Sequence, residues 1–215
     1  MYRLRVRFQR GEAVKFISHL DLTRLWQRAC QRAGIPLSYS EGFSPHPRLS
    51  LAAPLALGVT SEAELMDIFL SRPVSPHFFM SALKQELPAG IELLQVQMVA
   101  PNQPSLQAQL RFTEYRVSLA TSEKPAEITA RIDGLISLER LPWQHQRDTG
   151  PHHYDLRSLV DDLWLIGSEG ASCTIGMRLR SDAGGSGRPE QVTLALGFAE
   201  RPELVHRTRL ILEAK

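Results

Sequence analysis

Residues 2–8 alternate without a break, with Tyr2, Leu4, Val6 and Phe8 on one side and Arg3, Arg5 and Arg7 on the other. Successive side chains of a strand point to opposite faces, so this pattern fits one half-buried β-strand. The stretch that follows is equally constrained. Ser18 is an N-cap residue, and Asp21 three positions on completes a capping box for a helix. Leu22, Leu25, Trp26 and Ala29 share one face at helical spacing, while Arg24, Arg28 and Arg32 form a basic stripe on another. Gly34 and Pro36 stop the helix at about residue 33.

The remaining pattern predicts a short strand near 36–40, a further one at 48–51 and a strand over 63–70. Ser75-Pro76 opens a second helix reaching about Leu87, and IELLQVQMV (91–99) reads as a strand. The order β-α-β-β-α-β is that of a ferredoxin-like unit. Residues 100–110, rich in proline and glutamine, read as a linker. Beyond it the scheme recurs: a strand at 111–120, a helix at 125–137, strands around 139–146, 152–160 and 172–181, a helix from Pro189 and a strand at 204–212. An Arg-Pro pair precedes the second helix of each half, Arg72-Pro73 and Arg188-Pro189. The expected class is therefore α+β, with two tandem ferredoxin-like (βαββαβ) halves, the second less regular. Domains are expected at 1–99 and 111–215.

A chain of 215 residues suffices for two such halves, each of about 100 residues. No apolar run approaches the ~20 residues of a membrane span, and MYRLRVRFQR holds no apolar signal core. A cytoplasmic protein without a membrane partner is expected. Cys30 and Cys173 stand far apart and are expected as buried free thiols. The formal charge of +2 is uneven: residues 1–48 carry nine Lys/Arg against Glu12, Asp21 and Glu41, a net of +6, leaving −4 for the other 167 residues. Such a segment suits a polyanion. The competing reading has Glu62, Glu64 and Asp67 neutralise Arg3, Arg5 and Arg7 across strands.

The loop Tyr39–Arg48 mixes a glycine, two prolines bracketing a histidine, two aromatics and an arginine, too elaborate for a mere connection. Phe43 is expected to anchor it in the core, with His46 and Arg48 projecting beside the Arg24/Arg28 face in one concave basic site at the mouth between the halves. The expected binding surface comprises Lys15, Arg24, Arg28, Arg32, Tyr39, His46 and Arg48. His19 and His46 are the candidates for acid–base catalysis, with Arg48 or Lys15 on a phosphate. His145, His152 and His153 with Asp148 match no zinc spacing and read as an ordinary turn. Gly184–Gly187 lacks the lysine and threonine of a P-loop and reads as a flexible hairpin. No cofactor or metal is expected.

Several of these segments resemble the radical SAM-linked protein family: SHLD (18–21), RAG-P (32–36), YSEGFSPHPRLSLAAPLALG (39–58), SEAELMDIFL (61–70), HHYDLRSL (152–159), GGSGRPEQV (184–192) and HRTRLIL (206–212). That family comprises small domains encoded beside, or fused to, radical S-adenosylmethionine enzymes, and the resemblance implies such an enzyme as partner. Such an enzyme holds its iron–sulfur cluster through closely spaced cysteines, which Cys30 and Cys173 are not. The expected function is thus a non-catalytic accessory or substrate-binding partner of a radical SAM enzyme, binding structured RNA in a tRNA or rRNA modification context. One alternative is a metal-independent endoribonuclease of the CRISPR repeat-processing type, similar in its repeated architecture and glycine-rich loop. The other is a protein-only scaffold.

Overall fold

The computed structural model describes residues 2–147 and 150–213. The chain is a mixed α+β protein dividing into two compact units, Met1–Leu110 and Arg111–Lys215. Its sheets are mostly antiparallel, with five helices among the described residues.

In the first unit, β1 (Tyr2–Arg10) is central, pairing antiparallel with β3 (Thr60–Leu70) and with β4 (Ile91–Val99). The short β2 (Leu49–Leu51) pairs antiparallel with β3, which gives the order β2-β3-β1-β4. Helix α1 (His19–Arg32) lies between β1 and β2 in sequence, and α2 (Pro76–Leu83) between β3 and β4. The alternation of β1 sets which face each residue takes. Leu4, Val6 and Phe8 join one core with Leu22, Trp26, Ala29, Phe79 and Leu83 of the two helices. The indole of Trp26 meets the Phe8 ring edge-on at 4.9 Å, so α1 covers the Leu4/Val6/Phe8 face.

The other face carries Arg3 and Arg5, with Phe69 and Asp67 opposite them on β3. It is not an open platform. The expected linker residues fold over it: α3 (Leu106–Gln109), capped by Ser105, brings Gln107 onto the Ser50 hydroxyl at 2.9 Å. Arg3 donates to the carbonyls of Gln103 (2.7 Å) and Pro104 (2.9 Å). The short strand expected near 36–40 is absent. Two isolated bridges, Leu37 to Leu70 and Tyr39 to Pro47, stand in its place.

The second unit comprises β5 (Leu110–Ala120), α4 (Pro125–Ile136), a hairpin of β6 (Pro142–Arg147) and β7 (Gly150–Asp155), β8 (Val160–Glu169), β9 (Ser172–Asp182), β10 (Gly185–Ser186), α5 (Pro189–Ala195) and β11 (Leu204–Leu212). Here β5 lies between β9 and β11, and β8 and β10 also pair with β9. The hairpin is a separate two-stranded sheet. Leaving out that hairpin and β10, the order is again β-α-β-β-α-β. The expected strand at 152–160 straddles two real ones, the end of β7 and the start of β8. Both cysteines are buried free thiols, as expected, and burial pushes the Cys30 thiol up to about 12, which leaves it inert.

Candidate nucleic-acid interface

The basic segment is sorted by burial. Arg3 and Arg5 are both buried and both grip Asp67, itself 1% exposed. Arg5 clamps the carboxylate through Nε at 2.9 Å and Nη2 at 3.2 Å, and Arg3 donates to Oδ2. A paired and buried arginine is not available to phosphate, so cross-strand neutralisation accounts for these two, and Arg7 stays exposed. Arg10 is also turned inward. It continues the Leu4/Val6/Phe8 side of β1, and its guanidinium donates to the carbonyls of Val14, Lys15 and Ile17. Arg10 thereby holds the loop that delivers Lys15 and Phe16 to the start of α1.

Helix α1 begins as expected, with one difference. The Ser18 hydroxyl accepts from the Asp21 amide at 3.1 Å and donates to the Asp21 carboxylate at 2.7 Å. This hydroxyl bond, with Arg24 and Arg28 nearby, holds the Asp21 carboxyl below the usual carboxylate range. The buried face of α1 is Leu22, Trp26, Ala29 and Cys30, so Arg24, Arg28 and Arg32 point away from the core. Arg24 pairs with Asp21 at 3.2 Å, and Arg32 with Glu86 at 2.6 Å while also donating to the Glu86 carbonyl at 2.7 Å. Arg28 between them is exposed and has no ion-pair partner among the described residues.

These three arginines line a groove of about 760 Å³. Ile17 and Leu25 supply apolar surface, and Glu86, Leu87 and Pro88, which follow α2, line it as well. Phe16 lines it too, with its ring 72% exposed. Sequence reasoning missed Phe16 and the 86–88 segment. Phe16 was legible only as an apolar residue two positions before the N-cap that belongs to no apolar face.

The other expected residues distribute differently. Lys15 is half-buried, pairing with Glu12 at 2.6 Å, and its ammonium stands 5.3 Å from the centre of the Phe16 ring. The Tyr39 hydroxyl accepts from the Gln31 amide of α1 at 3.1 Å. Arg48 does not join the stripe: its guanidinium lies 5.1 Å from the centre of the Phe69 ring, on the side of β3 that α1 leaves uncovered. Phe43 is not a core anchor but fully exposed, at 111%. The reason is local. The Ser40 amide donates to the His46 carbonyl at 2.8 Å and the His46 amide to the Ser40 hydroxyl at 3.0 Å, closing 41–45 into a projecting tip.

His19, at the first turn of α1, and His46 are both exposed, and neither ring has a hydrogen-bond partner among the described residues. No base–acid–cation arrangement is assembled around either. Among the described residues no group of three metal-binding side chains occurs. His145 and His152 face each other across the β6–β7 hairpin, and His145 Nε2 lies 3.2 Å from the Arg188 guanidinium, which disfavours a cation. Asp148, considered with them, lies outside the described residues.

Fold and site together define an α+β protein whose first unit carries a groove of helix-borne arginines ending in an exposed aromatic ring. The chain belongs to the family described as "Uncharacterized protein conserved in bacteria (DUF2344)", which it matches over residues 3–189. That description names no reaction and no tie to radical SAM enzymes. No curated protein matches the chain. Its fold is similar to that of a chain in the crystal structure of a Cbf5-Nop10-Gar1 complex, at 12% identity and a TM-score of 0.50, covering 97% of this chain and 48% of that one. A chain of the archaeal box H/ACA sRNP Nop10-Cbf5 complex is similar at 10% identity and a TM-score of 0.49, covering 98% and 48%. So is one of an H/ACA RNP bound to a substrate RNA containing 2'-deoxyuridine, at 10% and 0.48, covering 97% and 47%. The chain spans about half the length of these neighbours, and at such identities the likeness is one of fold.

Proposed function

We propose that this protein is a non-catalytic, substrate-binding module that holds structured RNA along the outer face of α1. The observation that carries this reading is the groove lined by Arg24, Arg28 and Arg32, with the unpaired Arg28 at its centre. Repeats of four residues space the three guanidinium-bearing positions by about 6 Å along the helix axis, and cations in a row can track a phosphate backbone. The acids Asp21 and Glu86 hold the two outer arginines in place, which orients them while lowering the net charge. Lys15 stands beside this face and Tyr39 is tied to it through Gln31, so both remain with the surface, whereas His46 and Arg48 belong to the neighbouring loop.

In this reading each unit is a ferredoxin-like half. The orders β4-β1-β3-β2 and β11-β5-β9-β8 support it. The partner is a cytoplasmic radical SAM enzyme acting on the bound RNA, on the strength of the sequence resemblance alone. One of the structurally similar chains comes from a complex with a substrate RNA, but the reading stands on the groove and not on that likeness. No observation favours the endoribonuclease, since His19 and His46 form no catalytic arrangement.

Arg28→Ala tests the proposal because the side chain is exposed and unpaired. The melting temperature should stay within about a degree, since a surface change of this kind falls within ±0.5 kcal/mol. Affinity for a structured RNA should fall several-fold, and the slope of log K against log salt should drop by about 0.7 to 0.9. Unchanged affinity and slope would remove the groove as the binding face.

A further inference from the structure

Phe16 is an exposed apolar residue of this groove. Phe8 and Trp26 pack on each other wholly out of water, whereas Phe16 remains 72% exposed. Its backbone is nevertheless held. The Gly58 amide donates to the Lys15 carbonyl at 2.9 Å, and a Cβ added at Gly58 would stand 3.5 Å from the edge of the Phe16 ring. Gly58 thus lies against the ring with only a glycine's bulk. Arg10 pins the Lys15 and Ile17 carbonyls on either side of Phe16. The Lys15 ammonium lies 5.3 Å from the ring centre, and at this exposure the ring keeps substantial open surface. The result is an exposed aromatic ring on a held backbone, bordering the same groove as three arginines and the apolar Leu25.

Duplex RNA offers little to such a ring, because its bases are stacked on one another within the helix. Unpaired bases of loops and bulges can be splayed out and stacked on an aromatic side chain while cations take the flanking phosphates. We infer that the groove recognises unpaired RNA, with a base on Phe16 and the adjacent backbone along Arg24, Arg28 and Arg32. The inference rests on the RNA reading above and names its substrate class. Lys15 contributes a cation close to both the stacked ring and the strand.

The test compares a hairpin RNA carrying an unpaired loop with a fully paired duplex of the same stem, titrated by fluorescence anisotropy with the native chain and with Phe16→Leu. Leucine keeps the apolar contact and removes the stacking face. The native chain should bind the hairpin about tenfold more tightly than the duplex. Phe16→Leu should lose roughly 5- to 10-fold on the hairpin, the lower end of the range of one base–aromatic stack and most of the preference over the duplex, and little on the duplex. Its circular-dichroism melt should match that of the native chain, separating lost stacking from lost folding. Equal binding of hairpin and duplex, or a hairpin preference that survives Phe16→Leu, overturns the inference while leaving RNA binding intact. Failure of the native chain to bind either RNA at low salt overturns both the RNA reading and the inference.

Discussion

Asp67→Ala is expected to cost about 3–5 kcal/mol of stability, because it strips the carboxylate from two buried guanidiniums at once. Asp67 accepts from Arg3 and Arg5, and all three side chains are almost wholly out of water. Arg3 retains the Gln103 and Pro104 carbonyls as partners, but Arg5 has no other acceptor among the described residues. An unpaired charge in that position must be reached by water, which means lifting the 100–109 segment off the sheet. Urea denaturation followed by circular dichroism should show the midpoint falling sharply. Adding Arg3→Met and Arg5→Leu to the variant should restore much of the loss, since replacing every member of a buried ionic cluster by apolar groups is often neutral or better. A single Asp67→Ala variant within about 1 kcal/mol of the native protein would mean the cluster is hydrated, and the sheet face open after all.

Trp26→Ala should have an effect of similar size for a different reason. The indole is 0% exposed and packs edge-on against Phe8 at the junction of α1 with the sheet. Truncating a buried aromatic to alanine costs roughly 3–5 kcal/mol through lost burial and the cavity left behind. Trp26→Phe should cost much less. The indole N–H has no acceptor among the described residues, so phenylalanine removes a desolvated donor along with part of the ring. The two variants, compared by denaturant unfolding, separate packing from polar satisfaction. Equal losses would show that the indole N–H, and not ring packing, carries the contribution.

The elements with strong periodicity were legible in the sequence. The spans of β4 and β11 match the expected ones, and β1, α1 and β5 differ from them by a residue or two. In β1 and α1 a regular apolar face meets the core of the first unit. The failures have equally local causes. Strand β8 carries Asp161 and Asp162 straight after Val160 and Gly167 near its end, so its alternation is diluted and its start was merged with the strand before it. Arg10 was counted with the basic segment by its charge, although period-2 counting puts it on the Phe8 side, where backbone carbonyls of residues 14–17 satisfy it. Phe43 looked like a core residue because it is apolar, yet two backbone-level contacts between Ser40 and His46 hold it at a loop tip. The basic stripe itself was readable from its four-residue spacing. What completes the groove was not, since Phe16 and the 86–88 segment come together only when α2 folds onto the same sheet as α1.

Photo-crosslinking with identification of the modified peptides measures directly where RNA touches the chain. Adducts should concentrate in residues 16–32, with Phe16 foremost, and in the 86–88 segment across the groove. They should vanish in high salt together with binding. Adducts confined to the β6–β7 hairpin or to the Phe43 loop tip, with none on α1, would contradict the assignment of this groove as the RNA-binding face.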